Sequence, residues 1–135
     1  MGMKQHPAFA GLEAKIKADR DRYLLDEGLR FTTMDFEPDG EDELDFAVAV
    51  QNVADSNVAL LLRKHRDYGP SNIANSPAGP LNGLRVRMHD KLARINHLID
   101  NGAEPENEAL IDSFIDLANY AIIAQLVIRG EWPRA

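Results

Sequence analysis

Residues 108–130, EALIDSFIDLANYAIIAQLVIRG, read as one long helix, and that helix decides the fold. At about 100° per residue, Glu108, Asp112, Asp116 and Asn119 fall on one narrow stripe. Leu110, Phe114, Leu117, Ala121, Ala124 and Ile128 step along another face, with Ile111, Ile115, Ala118 and Ile122 beside them. From Tyr120 to Ile128 the segment is apolar almost all round, Gln125 apart, and a helix of that kind is normally buried. Carboxylates carried into a core must be neutralised by bound cations or basic partners, because unpaired buried charge is costly. The plainer alternative is an amphipathic helix whose acids face water. The apolar second half favours a site.

Upstream, residues 84–100 (LRVRMHDKLARINHLID) form a second amphipathic pattern with Leu84, Met88, Leu92, Ile95 and Ile99 on its apolar face. Arg87, Lys91 and Arg94 line one border of that face, with Asp90 just beyond. Such cations either lay their stems over a core, pair with the acids of the last helix, or hold phosphate. His89 and His97 are eight residues apart and read as surface residues rather than a metal pair. Asn101-Gly102 makes the turn between the two helices, and Gly130 closes the last one. Trp132 and Pro133 then pack back as a tether.

Residues 68–83, YGPSNIANSPAGPLNG, hold three Pro, three Gly and three Asn and read as a loop of about sixteen residues, the length of a binding loop or lid. The loop has no Walker-type or GxGxxG spacing. Before it, a helix is expected from Asp42 or Glu43 to about Arg66, with Leu44, Ala47, Val48, Val58, Leu61 and Leu62 on one arc. Gln51 and Asp55 interrupt that arc, either as a local hydrogen-bonded pair in the core or as part of a site. The six acids of residues 37–45, EPDGEDELD, read as a solvated turn and the acidic first turn of this helix. They lack the ligand spacing of a calcium loop. A first helix is expected from about Gly11 to Glu27 with a thin face of Leu12, Ile16, Tyr23 and Leu24, followed by a short extended piece or loop at residues 30–36.

The totals set bounds. At 135 residues, 44% apolar and 27% charged, the chain fits one folded domain. A net charge of −7 argues against stable nucleic-acid binding, though not against a nucleotide held by a local basic cluster. With no cysteine, thiolate catalysis, disulfides and Cys-ligated zinc are excluded. The N-terminus lacks a signal-peptide core, and the longest apolar run, around Tyr120 to Leu126, is too short to span a bilayer. A cytoplasmic protein is expected.

No nucleophile pattern such as GxSxG is present, which leaves metal-assisted chemistry as the economical enzymatic reading. Hard oxygen ligands without a His pair suit Mg²⁺ or Mn²⁺. Lys64, Arg87, Lys91 and Arg94 could hold phosphate charge beside it.

The segments KHRDYGPSNIA, GLRVRMHDKLARINHLI and EALIDSFIDLANYAIIA, with GEWP after them, resemble a phage-associated family, the nucleotide modification associated domain, many of whose members are labelled MazG-like. The resemblance covers about Leu44 to Pro133. It implies an all-α, MazG-like helical bundle in residues 43–135, with residues 1–42 as an N-terminal helical and loop extension. The wider MazG-like group hydrolyses nucleoside triphosphates to monophosphate and pyrophosphate with Mg²⁺, usually as oligomers. The resemblance therefore implies a (deoxy)nucleoside triphosphate pyrophosphohydrolase that adjusts a phage nucleotide pool in the host bacterial cytoplasm, built as a homodimer or homotetramer.

Glu108 and Asp112 fall on the acidic run of that group's last motif helix and are expected as catalytic metal ligands, with Asp90 or Asp116 completing the set. Where the group has a Glu-x-x-Glu pair on the preceding helix, this chain has only Asp90 among Arg87, Lys91 and Arg94. Lys64, Asp67 and Tyr68 match signature positions expected to touch nucleotide or close the site, and Asn119 is expected at sugar or base. The alternative is a non-catalytic nucleotide-binding or interaction protein in which the Arg and Asp rows are structural salt bridges.

Overall fold

A computed structural model describes residues 11–25, 36–102 and 104–134. Among them the elements are α1 (Leu12–Leu25), α2 (Glu41–Tyr68), α3 (Ser71–Ala74), α4 (Pro80–Asn101) and α5 (Leu110–Arg129), with no strand. The all-α expectation holds. The side chains of Tyr23 and Leu24, and the piece expected at residues 30–35, lie outside the described part.

The helix boundaries follow local chemistry. Glu41, Asp42 and Glu43 occupy the first turn of α2, where acids meet the positive end of the helix dipole. That is the role read for the acidic run. Pro80 sits at the start of α4, where its missing N–H costs nothing. Gly130 ends α5 in the left-handed conformation at φ 74°, and its N–H bonds the Val127 carbonyl.

Two expected boundaries are corrected. The loop at residues 68–83 is shorter than its composition suggests, because Ser71–Ala74 turn once as α3 and α4 already begins at Pro80. Ile73 inside that turn is only 2% exposed and anchors the segment to the core. The last helix begins at Leu110 rather than Glu108. Asp112 bonds back to the Ala109 N–H at 3.0 Å, and the Asp112 N–H bonds the Ala109 carbonyl, so the chain turns into the helix after Glu108.

α5 is the central element: it packs along α4 most extensively and also meets α1 and α2. The core is small. Ile73, Leu84 and Ile123 are buried together, with Leu61, Leu81, Tyr120, Ala124, Val127 and Trp132 packed around them. Ile95 is buried separately on α4, whereas Leu92 and Ile99 of the expected apolar face are exposed. As a twenty-residue helix whose most apolar 18 residues have a mean hydropathy of 1.5, α5 is long and apolar enough to cross a bilayer by length and composition, unlike the shorter run considered above. In this fold it is the packing centre of the bundle.

Gln51 and Asp55 form a local pair, Gln51 Nε2 donating to Asp55 Oδ1 at 2.6 Å on an exposed part of α2. The expected hydrogen bond is present, but at the surface rather than in the core.

Candidate functional site

α4 and α5 run side by side, and the cations of α4 point at the acids around the start of α5. Lys91 Nζ lies 2.8 Å from Asp116 and 3.4 Å from Glu108. Lys64 reaches in from α2 and pairs with Asp116 at 3.0 Å. Burial pushes the Asp116 carboxyl upward, but the hydrogen bonds and charges of Lys91 and Lys64 outweigh it and hold the group below the ordinary carboxylate range. The hydrogen bond to Asp116 raises Lys91 in turn, against the opposing effect of burial, with Glu108 adding to the rise.

Arg94 works differently. Its guanidinium donates to Ser113 Oγ at 2.6 Å and to the carbonyl oxygens of Glu108 and Ala109. Ser113 is fully buried. Arg94 is therefore a clamp that fixes the entry into α5, and only its longer 4.0 Å pair with Glu108 faces the acids. Arg87 donates to the Asn72 carbonyl at 3.1 Å and ties α4 to α3.

These groups rim a cavity of about 510 Å³. Lys64, Lys91, Glu108 and Asp116 meet in one cluster of two cations and two acids, and Arg87, bonded to Asn72, adds a third cation to the lining. Tyr120, Ile123, Ile73, Leu61 and Trp132 give the cavity an apolar and aromatic wall. Tyr68, largely exposed, stands at the edge, and Asn119 also lines the cavity. Trp132 is fixed by its indole N–H on the Pro70 carbonyl at 3.2 Å and by an edge contact with His65, ring centres 5.0 Å apart. A cavity of this size with an aromatic wall and a few convergent polar groups is the usual form of a small-molecule site.

The structure thus gathers Lys64, Tyr68, Arg87, Lys91, Glu108, Asp116 and Asn119 of the expected set around one cavity. Arg94 stands behind Glu108, 4.0 Å from its carboxylate. Asp112 caps α5. Asp67 and Asp90 are exposed, and Asp90 lies about 100° round the helix from Lys91. Asn72 and Ile73, from the segment expected as a binding loop, line the cavity, as do His65, Tyr120 and Trp132, which carry no such expectation; Trp132 is also the expected tether.

A divalent cation asks for several oxygen ligands whose charge is not already answered by the protein. Glu108 and Asp116 are paired to ammonium groups, Asp112 is turned to a backbone N–H, and Asp90 stands apart on α4. Among the described residues, no three carboxylate or imidazole side chains converge. In this arrangement Glu108 and Asp116 are answered by Lys64 and Lys91. The cavity they line with Lys64, Arg87 and Lys91 carries a surplus of positive charge, which suits an anion.

Fold and cavity together define a small all-α unit with a cation-rimmed, aromatic-walled pocket. Residues 64–128 match the family described as nucleotide modification associated domain 1. That span runs from Lys64 to Ile128 and contains every cation of the pocket. No curated protein and no solved structure matches the chain.

Proposed function

We propose that the pocket binds a (deoxy)nucleoside triphosphate. Lys64, Arg87 and Lys91 take the phosphates, and the nucleoside lies toward Tyr120, Ile123 and Trp132. The observation that carries this reading is that one cavity is lined both by the Lys64–Asp116–Lys91 cluster and by the apolar and aromatic cluster of Ile73, Ile123, Leu61, Tyr120 and Trp132. Arg and Lys answer phosphate charge, Arg with two parallel donors, while the aromatic wall offers the base a face to pack on. The match to a nucleotide modification associated domain supports the same ligand class. Trp132 is the chain's one tryptophan and stands in the pocket wall, so its fluorescence reports occupancy directly. Titration with each common nucleotide tests the reading, and an unchanged signal with no heat of binding across the set would overturn it.

A second reading is the metal-dependent pyrophosphohydrolase that the MazG-like resemblance implies. Glu108 and Asp116 favour it, because they line the same cavity as the phosphate-binding cations. It requires Asp116 to be released from its two lysines. Product analysis with dNTPs and NTPs in Mg²⁺ or Mn²⁺ separates the two: a monophosphate with pyrophosphate supports hydrolysis, and intact nucleotide supports binding alone.

We also propose self-association through α2. Leu44, Val48, Val58 and Leu62 are exposed along one side of it, roughly opposite the Asn57–Leu61–Lys64 side that meets α5. A row of exposed apolar side chains on a helix, here broken midway by the Gln51–Asp55 pair, is the form of a helix–helix interface.

A further inference from the structure

The three cations of the cavity are not equivalent. Lys64 and Lys91 close on Asp116 at 3.0 and 2.8 Å, and Lys91 also meets Glu108 at 3.4 Å. Two ammonium groups and two carboxylates cancel, so this cluster is neutral as it stands. Arg87 is the exception. Among the described residues its one bond runs from Nη2 to the uncharged Asn72 carbonyl at 3.1 Å. No carboxylate among them answers its charge, and most of its five N–H donors remain for a ligand.

Helix register sets Arg87 beside the aromatic wall. Lys91 faces Asp116, Arg94 faces Ser113, and Leu84 is buried with Ile123, so α4 and α5 run antiparallel with these positions matched. One turn before Lys91, Arg87 is then level with Tyr120. Asn72, which it bonds, precedes Ile73, and Ile73 belongs to the buried cluster that Tyr120 and Trp132 pack against. A phosphate on Arg87 is therefore next to the aromatic wall, whereas Lys91 and its acids lie about 6 Å further along α4.

On the nucleotide reading above, we infer that Arg87 anchors the phosphate nearest the nucleoside, so that the pocket also holds a nucleoside monophosphate, and at least as tightly as the corresponding triphosphate. A phosphate monoester, with a charge of about −1.5 to −2 at pH 7, already exceeds the single positive charge that the lining leaves over. A further phosphoryl group reaching for Lys64 or Lys91 meets Asp116 and Glu108, which already hold the same ammonium groups. The two acids are built-in rivals of the second and third phosphates. Monophosphate and triphosphate therefore compete for one site.

The test is calorimetry on the full chain with the four common deoxynucleosides and their mono- and triphosphates. EDTA is present, since a divalent cation would itself lower the charge of a triphosphate. For the base that binds best, the monophosphate should bind wild type as tightly as the triphosphate or more so. Arg87→Met should weaken the monophosphate about tenfold or more, the size of a charge-assisted hydrogen bond. Arg87→Lys, which keeps the charge, should recover part of that loss. Asp116→Asn should tighten the triphosphate several-fold more than the monophosphate, because the rival carboxylate is gone. A triphosphate that binds wild type several-fold more tightly than the monophosphate overturns the inference and leaves the nucleotide pocket standing. That ranking decides even if Arg87→Met does not fold. Unchanged monophosphate affinity in Arg87→Met overturns the anchor. Failure of every nucleotide to bind wild type overturns the nucleotide reading itself.

Discussion

Lys91 on α4 and Asp116 on α5 meet at 2.8 Å, and Lys64 on α2 holds the same carboxylate from the other side. One acid thus joins three helices. Asp116 is 12% exposed and Lys64 49%, so the pair with Lys91 is the better shielded of the two. Removing one partner of a shielded pair leaves the other charge uncompensated, whereas an exposed pair contributes little. Asp116→Asn should therefore destabilise the fold by about 1–3 kcal/mol. It should also free two ammonium groups in the cavity. Tripolyphosphate should bind the variant several-fold more tightly than wild type. Weaker binding would mean that the lysines serve only to brace the helices.

The same triad sets a dependence on pH whose sign can be worked out at each end. Asp116 is lowered from its ordinary 3.8 on folding, so its contribution is present above 3.8 and is lost as pH falls through the lower folded value. Lys91 is raised from 10.5, so its contribution is complete below 10.5 and is lost as pH rises through the higher folded value. Urea midpoints should be flat between these limits as far as this pair is concerned. In Asp116→Asn the contribution of the pair should disappear at both edges together. A variant whose acid and alkaline limbs matched those of wild type would remove the pair from the account.

Much of this site is legible in sequence, and the misses have physical causes. The last helix announces itself because its apolar positions repeat over five turns, and the row Arg87, Lys91, Arg94 follows from the same periodicity one helix earlier. Periodicity gives the phase of a helix but not its first residue. Glu108 therefore joined the acidic stripe on paper, whereas in the fold Ala109 and Asp112 start the helix after it. Asp112 has the phase of a ligand and the work of a cap. Ile73 offered no signal, since four residues among Pro, Asn and Ser are too few to show a period. The meeting of His65 with Trp132 depends on the return of the chain after Gly130, which no local pattern encodes.

Gly83 marks a place where α4 and the preceding turn come close. A Cβ at this position would lie 2.6 Å from Ser76 Cβ, with Ser76 Oγ also in its way. Ser76 is itself held, its hydroxyl donating to the Asn72 carbonyl at 2.9 Å. Gly83→Ala should destabilise by about 1–3 kcal/mol through overpacking, despite the better helix propensity of alanine. Ser76→Gly in the same chain should recover most of that loss, and a double-mutant cycle measured by urea unfolding reads the coupling. Additive effects would show that the turn moves aside at no cost.

The exposed side of α2 makes the last prediction. Leu62 is 57% exposed, and Leu44, Val48 and Val58 share its side of the helix over nearly five turns. Between Leu44 and Leu62 that side carries one charge, Asp55, which is paired within the helix by Gln51, and Arg66 follows one turn beyond Leu62. Two copies meeting along this stripe bury both apolar rows at once, the self-complementary arrangement of a two-fold dimer. Sedimentation should therefore give at least twice the 15.0 kDa of the single chain at micromolar concentration. Val48→Glu with Leu62→Glu should return it to a single chain, because facing rows would then carry like charge without a partner. A wild-type chain that stays monomeric over the same range would sink the interface. Unchanged association in the double variant would move it off α2.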